Sequence, residues 1–277
     1  MNATSSGRDF GPRPELTWLP IAMLSVDPSY QRGMDTKRSR AAIDAIEGRF
    51  KWSCFGTVLV TVGNGDGWLI IDGQHRVEAA RRLGIKTVPC IVAPDVTVAE
   101  QAEIFVSTNQ TRVQVNPYAL FHARVLAGDA TAVAVARLLN EAHLEIPRYP
   151  VPRNRMEPRQ TLALYALEKI IRGNNPAARG AVIALGHAYQ DQAGAVTAAL
   201  ISAAVTAAEI SPKDVDAIGA WFRRHDAADL NMRYRRQQDV VELAGKIVRS
   251  IEGAKQHEQQ TDSRIPPPAR DRLMAGR

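Results

Sequence analysis

The stretch "WLIIDGQHRVEAARRLG", Trp68 to Gly84, changes character in its middle. An apolar, β-rich run ends at Asp72-Gly73, and an alanine- and arginine-rich segment with helical spacing follows. A strand that turns through glycine directly into a helix gathers free backbone N–H groups at one point. Those groups and the helix dipole favour an anion there. Gly73 has no Cβ to keep a ligand away from the backbone. Arg76 supplies a planar fork suited to phosphate, His75 a further donor, and Gln74 a group that orients polar atoms. Asp72 stands apart, since a carboxylate repels phosphate. It is a candidate catalytic base, a magnesium ligand or an arginine partner. The plainer alternative is a capping aspartate followed by solvated His75 and Arg76, and the spacing alone leaves both open.

Working outward, "GTVLVTV" (Gly56 to Val62), a glycine-rich turn and "WLIID" make a hairpin signal. "TKRSRAAIDAIEGRF" has a helical repeat, with Thr36 placed as N-cap. "LTWLPIAMLSVDP" offers a short strand over Trp18 to Ile21, and "KTVPCIV" another. The helix after the glycine turn is expected over Val77 to Leu83, closed by Gly84. A further helix covers "VAEQAEIFVSTNQ", and Pro117 opens the next, "PYALFHARVLAG". Up to about residue 130 the pattern is mixed α and β.

Beyond 130 it is mainly helical, from "TAVAVARLLNEAHLEI" to "QQDVVELAGKIVRSIEGA". The expected organisation is a flexible tail over 1–15, an α+β domain over 16–130, a helical domain over 131–255 and a disordered tail over 256–277.

Composition bounds the partners. The 277 residues carry a formal charge of +6, and 45% are hydrophobic. This tolerates a polyanion such as DNA without demanding one. The cysteines, Cys54 and Cys90, form no disulfide framework and have no metal-ligand spacing, which suits a reducing cytoplasm. Cys90 lies in an apolar strand pattern and reads as core. "AGAVTAALISAAVTAA" (Ala193 to Ala208) is shorter than a bilayer span and reads as a buried helix, with no membrane role. No Ser/His/Asp arrangement, lysine phosphate loop or zinc motif is present. His122, His143, His187 and His225 are scattered and read as structural.

Two more polar patches accompany the glycine turn. "STNQTRVQVNP" places Thr108, Asn109, Gln110 and Arg112 just past a helix, and "DPSYQRGMD" places Gln31 and Arg32 after a turn. Each taken separately is a weak signal. In the helical half, Arg148, Arg153, Arg155 and Arg159 surround Tyr149 and face one carboxylate, Glu157. This is either a loop contacting DNA phosphates or a solvated basic loop. "MRYRRQQ" (Met232 to Gln238) is a second basic cluster with the same two readings.

Taken in order, Asp-Pro-Ser-Tyr-Gln-Arg, "GTVLVTV", "IDGQHRVEAARRLGIKTVPCIV" and "TNQTRVQVNP" resemble the N-terminal domain of the ParB/sulfiredoxin superfamily, over roughly Leu16 to Gly128. The resemblance implies that Gly73, Gln74, His75 and Arg76, with Thr108, Asn109 and Arg112, grip the phosphates of a nucleoside triphosphate. The nucleotide is CTP in the partition proteins, with ATP also open here, and it comes with Mg2+. It also implies association with DNA. Gln74 and Thr108 replace glutamates that serve metal binding and hydrolysis in that family. Gln74 also replaces the catalytic cysteine of sulfiredoxins, which argues against sulfinic acid reduction. Asp72 matches an Asp-Gly-His/Gln-Xaa-Arg variant of nuclease-like and kinase-like relatives, so NTPase, nuclease and small-metabolite kinase activities stay open. A second recognition helix is missing at the usual spacing. The alanine-rich helices leave a homodimer open.

Overall fold

A computed structural model describes residues 13–27, 34–63, 66–93, 96–110 and 115–262. The chain forms two compact units, 1–114 and 115–277. The first is α+β and the second is helical among the described residues.

The first unit is built on a five-stranded mixed sheet. Its strands are β1 (Glu15–Pro20), β2 (Leu24–Val26), β3 (Val58–Val62), β4 (Trp68–Asp72) and β5 (Thr87–Val92), in the order β1-β5-β3-β4-β2. β3 and β4 are the antiparallel hairpin that the sequence predicts, while β3 pairs parallel with β5 and β2 parallel with β4. Its helices are α1 (Lys37–Gly48), α2 (Trp52–Phe55), α3 (Gln74–Arg82) and α4 (Val98–Gln110). Thr36 caps α1 by accepting from the Ser39 N–H at 3.1 Å, a bond of about 1 kcal/mol. Apolar side chains of the sheet meet Val77 and Ala80 of α3 in one core with Phe55, Val58, Val60, Ile70 and Cys90. Cys90 is buried there as expected, and desolvation pushes its thiol up to about 11. α1 lies against α3, and Arg82 of α3 pairs with Asp44 of α1 at 3.0 Å.

One irregularity sits where the site begins. Leu59 pairs with Asp72 and Val60 with Ile70, so Ile71 of β4 is an extra residue between ladder positions. Ile70 and Ile71 are both buried. Such a bulge bends a strand and re-aims the residue after it, which here is Asp72.

The second unit holds α5 (Pro117–Leu126), α6 (Ala130–Glu141), α7 (Leu164–Gly173), α8 (Pro176–Ala188), α9 (Ala198–Ile210), α10 (Val215–Arg223), α11 (Ala227–Arg233) and α12 (Gln237–Asp262). Pro117 opens α5 as expected, with Asn116 capping it through Ala119 N–H at 2.8 Å. Phe121 of α5 belongs to the core built from α6 to α12, so α5 packs with the helical unit. The change in composition near residue 130 thus lies one helix beyond the start of this unit.

α9 is buried through Leu200, Ile201, Ala203, Ala204, Ala207 and Ala208, as its alanine-rich sequence suggests. Among the described residues, no single helix is long and apolar enough to cross a membrane. Tyr189 donates to the carbonyls of Phe222 and His225, at 2.9 and 2.8 Å, and burial raises its phenol. Arg124 of α5 bridges Asp129 and the buried Glu168 of α7, and those bonds raise its guanidinium pKa.

Four expectations need correcting. α3 starts at Gln74, three residues before Val77, because Gly73 already supplies the turn. Glu15 lies in β1 and so is no part of a flexible tail. Residues 256–262 continue α12 as helix, since a Gln- and Glu-containing polar sequence disfavours burial without disfavouring helix. Thr108, Asn109 and Gln110 form the last turn of α4, which spans the helix expected over "VAEQAEIFVSTNQ", and so do not lie past it.

Candidate functional site

The site forms where β4 runs into α3. Gly73 is the N-cap of α3 with φ 107° and ψ 13°, backbone that a side chain disfavours. Among the described residues no side chain caps this end. Asp72, the expected cap in the plainer reading, bonds elsewhere. Its Oδ2 accepts from Arg76 Nη2 at 2.8 Å, and both side chains are about one-fifth exposed. The free N–H groups of the first turn of α3 therefore remain available for a ligand.

Arg76 occupies a cradle of two glycines. A Cβ on Gly73 would lie 2.9 Å from Arg76 Nη2 and 3.2 Å from Nε, and one on Gly56 would lie 3.0 Å from Nη1. Both glycines have positive φ. The register explains their convergence. With Leu59 opposite Asp72 in an antiparallel pair, the residues just before β3 lie beside those just after β4. Gly56 therefore flanks the guanidinium from the strand opposite Gly73. Gly56 is the site residue that the sequence reading missed. Its one signal is a glycine immediately ahead of an apolar strand.

His75 is the second notable group. Its Nε2 is buried and makes no hydrogen bond among the described residues. A buried nitrogen without a partner costs about 1–3 kcal/mol, so a group accepting from or donating to it would relieve that cost. Gln74 is half-buried beside it.

Thr108, also half-buried, lies in the last turn of α4, and α4 packs against β4. The side chains of Asn109 and Gln110, and all of Gln31, Arg32 and Arg112, lie outside the described residues.

In the helical unit, the basic loop between α6 and α7 is pinned at its base. Glu145 and Gln160 form a parallel bridge. Glu145 N–H bonds the Arg159 carbonyl and Thr161 N–H the Glu145 carbonyl, both at 2.9 Å. The buried Thr161 hydroxyl reaches the Val196 carbonyl at 2.7 Å. Arg153 to Arg155 form a short 3-10 turn, and Arg148, Arg153, Arg155 and Arg159 are all exposed. Arg159 is partly engaged, since its Nε donates to the His143 carbonyl at 2.9 Å. Arg148 and Arg155 form no ion pair among the described residues. The scattered histidines take structural partners: His122 bonds the Ile146 carbonyl, His187 that of Glu141, His225 that of Trp221, and His143 the Gln190 side chain.

No family model matches the chain, and no curated protein matches it. Among solved structures it is similar to the C-terminally truncated chromosome-partitioning protein ParB from Caulobacter crescentus complexed with CTP-gamma-S. That match has 16% identity and a TM-score of 0.32, and covers 84% of this chain and 99% of that one. It is also similar to the truncated Caulobacter crescentus ParB complexed to the centromeric parS site, at 17% identity and a TM-score of 0.29, over 76% of this chain and 100% of that one. A third is the Pnob8-like ParB-N domain, at 15% identity and a TM-score of 0.29, over 87% and 97%.

Proposed function

We propose that the chain binds a nucleoside triphosphate by its phosphates at the turn from β4 to α3, and associates with DNA through the loop of Arg148, Arg153, Arg155 and Arg159. The observation that carries the first half is the Arg76 guanidinium, laid over Gly56 and Gly73 and fixed by Asp72. A fork held in place loses little freedom when it meets a phosphate, so more of its charge-assisted bonding reaches the ligand. The N–H groups that open α3 point to the same place, and so does His75 Nε2, which has no partner among the described residues. By the sequence resemblance, the proposed grip also takes in Thr108, Asn109 and Arg112, with Gln31 and Arg32 as further candidates. CTP and ATP are the first nucleotides to try.

The fit for a metal is poorer. Asp72 is the one carboxylate of the turn, and an oxygen of it is bonded to Arg76. Gln74 and Thr108 are neutral. Mg2+ would arrive with the nucleotide, held by its phosphates rather than by a protein cage. The same pair weighs against a nuclease or small-metabolite kinase built on Asp72, because one of its two oxygens is already committed to Arg76.

Thermal unfolding with CTP, ATP, GTP and UTP, with and without Mg2+, tests the reading. A ligand that binds only the folded chain raises its midpoint, by mass action of about 2.7 kcal/mol at a hundredfold excess over Kd. One nucleotide is expected to do so, and no shift with any of them sinks the proposal.

A further inference from the structure

β1 is the outer strand of its sheet, and the direction of its backbone groups follows from the ladder. Ala93 N–H bonds the Val60 carbonyl across β3. Ile91 and Pro89 therefore turn their nitrogens toward β3, while Val92, Cys90 and Val88 turn theirs toward β1. Their partners there are Glu15, Thr17 and Leu19. Ile21 continues this inward set, with its N–H on the Lys86 carbonyl at 2.8 Å. Leu16 and Trp18 are left with N–H and C=O aimed away from the sheet, and no hydrogen bond to them from outside it is present among the described residues.

The side chains on that edge are apolar. Leu16 is 76% exposed, Trp18 57% and Trp52 49%. Trp18 meets Trp52 edge-to-face at 5.3 Å, and Phe50 and Phe55 back Trp52 at 5.0 and 5.6 Å. Soluble proteins usually protect an edge strand with charge, a bulge or a cover. Within Glu15–Pro20 the single charge is Glu15.

We propose that this edge pairs with the same edge of a second copy, extending the sheet across a twofold axis with Leu16 opposite Trp18 of the second copy. Only outward-facing residues can form the bonded pairs. Centring the axis on Leu16 or on Trp18 sets the other residue against Pro14 or Pro20, neither of which has an N–H to give. Centring it on Thr17 lets Leu16 and Trp18 answer one another fully, with four hydrogen bonds across the axis. That register also creates two aliphatic–aromatic cross-strand pairs and a central Thr17–Thr17 pair, all favourable combinations. The area bounds what the contact can be. Three partly exposed side chains bury roughly 300–400 Å² per copy. The total, roughly 600–800 Å², falls below the ~1,200 Å² of stable interfaces, so the dimer is a weak, reversible one.

Sedimentation of the full chain over a concentration series tests this, with circular dichroism confirming the fold of each variant. The wild type is expected to shift reversibly from monomer to dimer. L16P removes an outward N–H without touching the β5 ladder, and W18K places a charge on the edge. Each is expected to raise Kd at least tenfold. In a C54S background, which removes the exposed thiol, T17C is expected to form a disulfide-linked dimer under mild oxidant and E15C is not. A chain that stays monomeric, T17C that cross-links no better than E15C, or a dimer untouched by L16P and W18K overturns the proposal. So does a monomer whose tryptophan fluorescence responds only to added single-stranded DNA or peptide.

Discussion

The turn from β4 to α3 and the loop from α6 to α7 are both basic, but they are rigid in opposite ways. At the turn the side chain is fixed: Arg76 lies between two glycines and is bonded to Asp72. At the loop the backbone is fixed, by the bridge of Glu145 to Gln160 and the bond from Thr161 to Val196, while Arg148 and Arg155 extend into solvent. A fixed guanidinium suits one ligand of defined shape. Long arginines on a pinned loop suit a polyanion that offers many equivalent phosphates. The contrast makes the two sites separable by mutation.

The largest effect is expected from Arg76→Ala. It removes the fork and leaves Asp72 half-buried without this partner, so nucleotide affinity should fall about a hundredfold, or ~3 kcal/mol. DNA binding by the loop should be unchanged. Arg76→Lys should recover little of the loss, because an ammonium cannot lie flat over Gly56 and Gly73 while reaching Asp72 and a phosphate.

Next comes Gly73→Ala. Its φ of 107° and the 2.9 Å approach to Arg76 predict strain on two counts. A loss of about 1–3 kcal/mol in stability is expected by chemical denaturation, together with weaker nucleotide binding. A stability loss without a binding change would mean that the cradle serves the fold alone.

Arg148→Ala and Arg155→Ala are expected to act more gently. Each should lower DNA affinity several-fold and reduce the slope of log affinity against log salt by about 1. Nucleotide binding should be untouched. Arg159→Ala should behave differently from both, since it also removes the bond to the His143 carbonyl. Loss of loop order, read by hydrogen exchange or proteolysis, is its expected signature. If all three variants have the same salt slope as wild type, the loop is only a solvated surface.

The smallest effect concerns the thiols. Cys54 is exposed, while burial holds the Cys90 thiol up at about 11. An alkylating reagent near pH 8 should modify Cys54 in the folded chain and reach Cys90 only after unfolding. Because the folded Cys90 pKa is raised, its contribution to stability is fully present below the ordinary thiol value. It declines as pH rises toward the folded value near 11.

What could be read from the sequence was local. Thr36 before α1, Asn116-Pro117 before α5, and the paired apolar runs of β3 and β4 are punctuated by residues whose chemistry fixes the nearby backbone. The pairing of Asp72 with Arg76 across Gly73 was equally open to reading, since the three are neighbours in sequence as well as in space. What escaped depends on distance along the chain. Gly56 reaches Arg76 only because the register sets Leu59 against Asp72, and no periodicity in either segment announces that. β2 has three residues, too few for an alternating pattern, and is held by its parallel pairing with β4. α11 is a seven-residue helix anchored by Asn231, whose side chain bonds the Ala195 and Ala227 carbonyls at 2.8 Å. Polar anchoring of that kind resembles a loop when only hydropathy is read.

The most direct test of the phosphate site is calorimetric titration of CTP, ATP, GTP and UTP, with Mg2+, into the wild-type chain and Arg76→Ala. One nucleotide binding the wild type at one per chain, and losing that heat in the variant, is the expected result. Four flat titrations, or a variant that binds as tightly as the wild type, would contradict it.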